Sequence, residues 1–479
     1  MTYQISKYIN GDKIFLVTRS EIHERFDPKM ALYNKRVRHA LYPMQKLKKL
    51  LLGSPQYGAN EVGVIRENSM QPRYIRITDI DENGLISVNE LGATIANAEN
   101  KYVLNENDIL IARSGATVGK AYIHRKLPYT CLYAGYLIRF IVNPEIILPD
   151  YLFTYTQLNP YKEWINAIQR PSAQPNINAE EYQSLEIPLP NLDEQREIVE
   201  YINEAYRKKQ AKDREAQQLL DSIDGYLLKE LGIKLPEYHS DLNNRIFYVQ
   251  HKELTNRIDP YYSQQYFKNS FKAICSGEYP VVSLGKLSVL ITSGITPKSG
   301  GSAYTEDKIN GIPFIRSGNI NVSGDLDYNE LLYLKPEIHN TIMRSSQVHT
   351  NDIMIAIVGA TIGQVGIYLS NREANINQAI ALVRLKQGIN VQYVKELIKS
   401  KIGQISLNRL KRPVARANIN LEEIATIQVV VPPLNKQHEI AKRIEEIRKQ
   451  AKMLQEQGRA ILENAKQKIE RMIIGDDNI

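Results

Sequence analysis

Two cysteines, Cys131 and Cys275, are all that the 479 residues contain, so no disulfide framework is available and the cytosol is the expected compartment. No stretch brings four metal ligands to zinc-like spacing, and the eight histidines are scattered rather than grouped into a triad. Apolar runs are short: none reaches the roughly 20 residues that cross a bilayer. The opening MTYQISKYINGDK lacks an apolar stretch behind a basic start, so the chain reads as soluble and unprocessed. Tryptophan occurs once (Trp164) and phenylalanine eight times, against 29 tyrosines, whose phenols suit half-buried sheet positions and wet polar surfaces. Charge of neither sign dominates: 61 Lys and Arg against 53 Asp and Glu leave +8, a modest lean toward polyanionic partners.

A phosphate loop is missing too. Residues 113–123, RSGATVGKAYI, imitate one, but three residues rather than four separate Gly115 from Gly119, and Ala121 stands where a Walker loop needs Ser or Thr. An N/D-P-P-Y/F amino-methyltransferase signature and a glycine-rich cofactor loop are likewise lacking, so neither catalysis nor a bound cofactor is expected.

What the chain does have is itself, twice. NDILIARSGATVGKAYI at 107–123 aligns without a gap to NDIMIAIVGATIGQVGI at 351–367, with Gln364 in place of Lys120. IFLVTRSEIHERFDP at 14–28 matches 246–260, YIRITDI at 74–80 matches FIRSGNI at 314–320, and residues 171–198 match 413–440. Each copy runs through short β-type segments, such as NDILIA, YLIRFIV and LEIPL, then NDIMIAIV, AIALVRL and TIQVVV. The glycines of the GAT segments are expected to end a β-run and take positive φ in a tight turn.

A long helix closes each copy. Asn191 with Glu194 reads as a capping box after Pro188 and Pro190, and Pro432 and Pro433 open the second helix without the Glu. Ile198, Ile202, Ala205, Ala216, Leu219, Ile223 and Tyr226 fall on alternating steps of four and three, broken by Lys209 and Lys212. Ile440, Ile444, Ile447, Ala451, Leu454, Ile461 and Ala465 keep the same phase, broken by Gly458. A lone helix of this kind is marginal in water, so each stripe is expected to be buried against the other tail. The predicted architecture is α+β: two similar β-rich domains at 1–190 and 232–431, joined by two long antiparallel coiled-coil helices at 191–231 and 432–479. With the helices themselves running from about 193 to 231 and from about 434 to 473, each rod is roughly 57–60 Å long at 1.5 Å per residue.

Two like modules on a stiff spacer suit double-stranded DNA with two separated half-sites, since roughly 57 Å corresponds to about 17 base pairs. IQRPSAQPNIN at 168–178 supplies Arg170, Gln174 and Asn176, and LKRPVARANIN at 410–420 supplies Lys411, Arg412, Arg416 and Asn418; these side chains match guanine and adenine edges. The bland alternative is that Asn176 and Asn418 cap the turn that follows and that the arginines solvate a loop. KRVRHALYPMQKLKK at 35–49 reads as an amphipathic helix whose Arg36, Arg38 and Lys48 face phosphates, or simply water. GSPQYGAN at 53–60 and SGITPKSGGSAYT at 293–305 read as loops. A coiled-coil scaffold bridging two protein clients is the rival reading, and nucleotide binding at the GAT loop the weaker one.

PLPNLDEQREI and VPPLNKQHEI leading into long helices, the paired GAT segments, and RFDP with RIDP together resemble the specificity (S) subunits of type I restriction–modification systems over nearly the whole chain. That resemblance implies two target recognition domains reading a bipartite DNA site, and an antiparallel coiled coil that sets their spacing. It also implies docking of two methyltransferase (M) subunits, with restriction (R) subunits joining a larger assembly. S-adenosylmethionine, ATP and Mg²⁺ would belong to those partners. The family pattern puts a Glu before the Gln at the helix start; Glu194-Gln195 keeps it and Lys436-Gln437 does not.

Overall fold

The computed structural model describes residues 27–37, 40–87, 90–96, 99–169, 175–238, 246–250, 259–298, 300–412 and 417–475. Two compact units divide the chain: Met1–Asp213 with Gln455–Ile479, and Arg214–Leu454. Most of the 14–28 correspondence lies outside the described residues.

In the first unit, α1 (Pro28–Val37) precedes β1 (Met44–Lys46), β2 (Gln56–Tyr57), β3 (Val64–Ile65), β4 (Arg73–Ile75) and β5 (Ala93–Thr94). After them come β6 (Ile109–Ala112), β7 (Ala121–Ile123), β8 (Cys131–Tyr133) and β9 (Leu137–Phe140). Then follow α2 (Pro149–Thr156), α3 (Asn159–Ile168), α4 (Ala179–Gln183), β10 (Glu186–Pro188) and the long α5 (Leu192–Glu230). The strands form a sheet ordered β2-β9-β6-β7, a second ordered β3-β5-β4-β8 with β4 and β8 parallel, and a β1-β10 pair.

The second unit repeats this plan. It contains α6 (Gln265–Cys275), β11 (Val281–Ser283), α7 (Leu284–Leu287), β12 (Ser288–Ser293), β13 (Tyr304–Thr305), β14 (Ile312–Ile315) and β15 (Leu332–Leu334). Next are α8 (Pro336–Asn340), β16 (Gln347–Val348), β17 (Ile353–Ala356), β18 (Val365–Ile367), β19 (Ala374–Ile376) and β20 (Ile380–Leu385). Helices α9 (Val391–Lys399), α10 (Lys401–Leu410) and α11 (Leu421–Ala425), strand β21 (Gln428–Val430) and the long α12 (Leu434–Ile474) complete it. Its sheets run β12-β20-β17-β18 and β13-β15-β14-β19-β16, with a β11-β21 pair. The shared topology, including a parallel β14-β19 contact, makes the duplication structural as well as textual.

The repeated N-D-I has a physical cause. Asn107 and Asn351 both stand at φ 72°, a left-handed conformation that Asn tolerates, and so turn the chain into the central strand. The next residue is a buried carboxylate. Asp108 accepts from the Asn105 amide at 2.8 Å and meets Arg139 at 3.4 Å, while Asp352 accepts from the His349 amide at 2.7 Å and from Arg384 at 2.7 and 2.8 Å. The strands that follow are buried on both faces, which explains their unbroken apolar runs.

The GAT segments are the β6-β7 and β17-β18 hairpin turns, with Gly115, Gly119, Gly359 and Gly363 all at positive φ. A Cβ on Gly119 would stand 2.8 Å from Ile165 of α3, so this turn also needs glycine for close approach. Lys120 donates to the Ile80 carbonyl and braces a neighbouring turn.

Both long helices start on the same buried device. Asn191 and Glu194 form the capping box, each accepting from the other's amide at 3.0 Å. Beside it, the fully buried Gln195 accepts from the Leu148 amide (2.8 Å) and donates to the Pro190 and Ile146 carbonyls (2.9 and 3.1 Å). Gln437 does the same for the Asn390 amide (3.0 Å) and the Pro432 carbonyl (2.9 Å). Where the second helix lacks Glu, Lys436 reaches Glu230 at 2.5 Å. Gln195→Ala or Gln437→Ala strands buried polar groups and is expected to cost about 1–3 kcal/mol, read as a lower urea midpoint at unchanged slope.

Each unit contains part of both long helices, packed side by side in opposite directions. In the first unit, Ile198, Ile202 and Ala205 of α5 share a core with Leu462, Ala465, Ile469 and Ile473 of α12. In the second, Ile223 and Leu227 share one with Ile440, Ile444 and Ile447, while Ala216, Ala451 and Leu454 form a smaller cluster with Leu219 partly buried against it. Ile461 is only half-buried and Leu462 takes the inner position, because a 3.6-residue helix drifts against a strict heptad. Gly458 does not interrupt the helix; it faces the Lys209 and Lys212 stems, with a hypothetical Cβ 3.4 Å from each.

The globular parts are fastened to these helices by helix-capping carboxylates. In the first unit, Glu470 of α12 accepts from the Asn159 amide (2.7 Å) at the start of α3. In the second, Asp224 of α5 accepts from the Lys401 amide (2.9 Å) at the start of α10. A carboxylate at a helix N-terminus satisfies an orphan amide and complements the dipole.

Two expectations need correction, and one alternative falls away. Residues 35–49 are not one amphipathic helix: α1 stops at Val37, and Pro43, which cannot donate within a helix, precedes β1 and a short 3-10 turn at Leu47–Leu50. GSPQYGAN is not all loop, since Gln56 and Tyr57 pair with Arg139 and Ile138, and Tyr304 and Thr305 form β13. Asn176 and Asn418 are not the caps: Asn178 and Asn420 cap α4 and α11, in boxes with Glu181 and Glu423.

Candidate nucleic-acid interface

Freed from capping, Asn176 and Asn418 do something else. Each forms an antiparallel bridge to the GAT hairpin, Asn176 with Ser114 and Asn418 with Val358. The backbone frame is the same in both units: Gly115 donates to the Pro175 carbonyl at 3.0 Å and Ile177 to Arg113 at 2.8 Å. Gly359 donates to Ala417 at 3.1 Å and Ile419 to Ile357 at 3.0 Å. Sheet turn and Asn-Ile-Asn segment are thus welded into one rigid ledge.

The side chains on that ledge differ. In the first unit the Arg113 guanidinium lies 4.8 Å over the Tyr57 ring and its Nε donates to Asn176 Oδ1 at 3.4 Å. Tyr57 is held in turn by accepting from the Ala179 amide at 3.1 Å, and the half-exposed Tyr136 borders the group, its carbonyl accepting from the Arg113 amide at 2.9 Å. Stacking fixes the guanidinium plane, and a fixed plane with two outer nitrogens matches the O6 and N7 of guanine. In the second unit Ile357 replaces Arg113, Val358 is exposed, and the arginine comes from the other side. Arg412 donates to the Asn418 carbonyl (3.0 Å) and Oδ1 (3.3 Å) while paired with Glu423 at 2.9 Å.

The other sequence candidates separate. Lys48 is exposed in the 3-10 turn. Lys411 is half-buried, and burial holds its amine below the usual lysine range. Arg36 stands on α1, but its side chain and all of Arg38, Arg170, Gln174 and Arg416 lie outside the described residues. Sequence reading missed Arg113, Tyr57 and Tyr136. A signal did exist: the repeat changes from Arg-Ser to Ile-Val before GAT, and a charge that one copy lacks is not required by the turn.

Among the described residues no three His, Cys, Asp or Glu side chains could hold a metal ion, and no helix is long and apolar enough to cross a membrane. His124 is buried against Tyr122 at 2.9 Å, and burial pushes its pKa down to about 4, the behaviour of a neutral core histidine.

Known proteins are similar to this chain. The sequence pattern of the type I restriction modification DNA specificity domain matches residues 61–220 and 278–464, once in each half. Over 143 residues the chain is 34% identical to the type I restriction enzyme EcoBI specificity subunit of Escherichia coli, a match spanning 30% of each protein. It is 25% identical over 382 residues to the putative type I restriction enzyme MjaX specificity subunit of Methanocaldococcus jannaschii, covering 78% of this chain and 79% of that one. A solved chain from a type I R-M system, described for its complex assembly and conformational transition, is 15% identical with a TM-score of 0.49, covering 90% of this chain and 96% of its own.

Proposed function

Because this chain belongs to the type I restriction modification DNA specificity domain family, we propose that it is a sequence-specific DNA-binding specificity subunit, each half of which reads one part of a bipartite site. Residues 1–190 are the first recognition domain in this reading, and residues 232–431 the linker and the second. Residues 191–231 and 432–479 are the spacer helices that set the gap and, with adjoining surfaces, dock two methyltransferase subunits, which restriction subunits join. The chain itself is non-catalytic, works in the cytoplasm, and leaves S-adenosylmethionine, ATP and Mg²⁺ to its partners.

One observation carries this proposal: an identical backbone ledge presents different side chains in the two units, Arg113, Tyr57 and Asn176 in one, and Val358, Arg412 and Asn418 in the other. A constant frame with variable polar and apolar tips is what reading two unlike half-sites requires. To Arg113, Asn176 and Asn418 we assign base contacts, and to Arg412 the bracing of Asn418. Lys48, Lys411, Arg36, Arg38, Arg170, Gln174 and Arg416 are assigned to flanking phosphates and bases.

Methylation mapping in a host carrying the chain with its methyltransferase tests the reading: one bipartite motif is expected. Binding of the purified chain to that duplex should fall linearly with salt on a log–log plot. A flat response, or binding lost to any competing polyanion, would point to a protein-bridging scaffold instead. Within the motif, Arg113→Ala is expected to relax one position of the first half-site by about 1–3 kcal/mol and leave the second half-site unchanged, measured by competition between single-base variants.

A further inference from the structure

The repeated YIRITDI and FIRSGNI segments carry an arginine that the ledge does not use. Arg76 follows β4 and Arg316 follows β14, and each opens a 3-10 turn whose last residue reaches back to it. Asp79 accepts from the Arg76 amide at 2.8 Å, and Asn319 from the Arg316 amide at 2.9 Å. Asn serves as well as Asp, so the turn needs a side-chain oxygen and no ion pair. Nothing in the turn calls for the guanidinium that both copies keep.

The backbone ties these arginines to the ledge. In the first unit the Ile75 carbonyl accepts from the Ala134 amide at 3.1 Å, and the Tyr136 carbonyl accepts from the Arg113 amide at 2.9 Å. In the second, Ile315 accepts from Asn377 at 3.0 Å and Ala379 from Ile357 at 2.9 Å. A step of two residues, at most about 7 Å long, therefore links the residue before each arginine to the ledge. Tyr136, 41% exposed, stands on that step and acts on the Arg76 charge.

The two guanidiniums are held differently. Arg76 donates from Nε and Nη2 to Asp79 Oδ2 and Oδ1 at 3.2 and 3.0 Å, its side chain 36% exposed against 8% for Asp79. The carboxylate takes one edge of the guanidinium and fixes its plane, leaving the Nη1–Nη2 edge as a second fork. Such a fork matches O6 and N7 of guanine. Tyr74 and Tyr136 are the other titratable groups acting on Arg76, and Glu61 acts on Tyr74. Arg316 has no such buttress: Asn319 is neutral, Nη2 makes one contact of 3.3 Å to the Glu330 carbonyl, and the buried Nε has no partner. Tyr304 feels its charge, and Asp327 and Glu330 are the carboxylates of the adjoining loop, the first accepting from the Asn329 amide at 2.9 Å. A loosely tethered cation with an unmet donor suits a phosphate oxygen better than a base edge.

We propose that Arg76 and Arg316 extend the DNA-contacting surface of each recognition domain past the ledge, Arg76 reading a guanine of the first half-site and Arg316 gripping a phosphate beside the second. This rests on the specificity-subunit reading and adds to it two contacts of different kind at equivalent positions of the repeat.

The test uses the full chain with its own methyltransferase subunits and a duplex bearing the mapped motif. Arg76→Ala is expected to cut discrimination about tenfold or more at one guanine of the first half-site, measured by competition between single-base variants. Arg76→Lys keeps the charge without the fork and should lose the same discrimination. Asp79→Asn should keep the turn, as Asn319 does, and lose part of that discrimination. Arg316→Ala should weaken every duplex alike and lower the log–log salt slope by about one. Unchanged discrimination in Arg76→Ala and Arg76→Lys overturns the guanine assignment, whether or not melting falls. So does a uniform loss, which would put Arg76 on a phosphate, or a loss only at the position set by Arg113, which would make Arg76 a brace of the ledge. An unchanged slope in Arg316→Ala, or a loss confined to one base pair, overturns the phosphate assignment. A wild-type chain that directs methylation to one bipartite motif while these variants behave like it sinks this inference alone; a chain that yields no motif sinks the specificity-subunit reading too.

Discussion

A chain lacking residues 206–212 and 455–461 is expected to direct methylation to a site with the same two half-sites and a gap shorter by about three base pairs. The deletion removes one heptad from each long helix where Gly458 faces Lys209 and Lys212, so the segments face each other. Ala216 then follows Ala205 at the step that Lys209 held, and Ala465 follows Leu454 likewise, so both stripes keep their phase. Seven residues at 1.5 Å shorten each rod by about 10 Å, or about three steps of 3.4 Å along a duplex. Methylome sequencing reads gap and half-sites together. Altered half-site bases with an unaltered gap would contradict the spacer role; deleting only one of the two heptads should abolish methylation, since it throws one stripe against unmatched positions.

The largest single-residue effect on stability is expected at Glu396. This α9 carboxylate is 4% exposed and accepts from Arg448 of α12 at 2.6 and 3.1 Å, with Lys395 at 2.9 Å. Burial alone pushes its pKa up, but Lys395, Arg448 and Lys399 outweigh that and hold the carboxyl below its ordinary range. Glu396→Gln leaves these cations without their counter-charge. Breaking a buried pair from one side costs about 3–5 kcal/mol, and the partial exposure of Arg448 argues for the lower end. About 3 kcal/mol corresponds to a fall in melting temperature of about 6–12 °C for a unit of this size. The pH dependence follows from the sign of the shift. With the folded pKa below the unfolded one, the ion pair stabilises fully above the ordinary glutamate range and is lost as pH falls through the folded value. Wild-type and variant melting curves should therefore converge on acidification.

Local signals carried much of this fold. The two long helices, their antiparallel pairing, and the strands around N-D-I and GAT were written in periodicity, proline placement and glycine, which act over a few residues. What escaped needed contacts between distant segments. Gln195 and Gln437 look like ordinary helix-surface glutamines until Leu148 and Asn390 bring their amides to them. Arg113 became a candidate only when β2 carried Tyr57 beneath it. The helix expected over 35–49 shows the opposite failure, because charge spacing around Pro43 imitated an amphipathic period that the proline forbids. Near the ledge, the sequence picked the right segments but left Asn176 and Asn418 open between base contact and capping, and Asn178 and Asn420, two residues on, perform the capping.

The division of the first unit between residues 1–213 and 455–479 has a consequence for how the protein is made. Its core includes Leu462, Ala465, Ile469 and Ile473, and α3 is capped by Glu470, so this half cannot close until those residues leave the ribosome. At about 5–20 residues per second, that is a wait of tens of seconds, and the second unit, whose core includes Ile440, Ile444 and Ile447, has its own chain complete only a few seconds before it ends. The earliest-translated domain is therefore the last to mature, and for that interval its bare apolar seam is a natural client for chaperones.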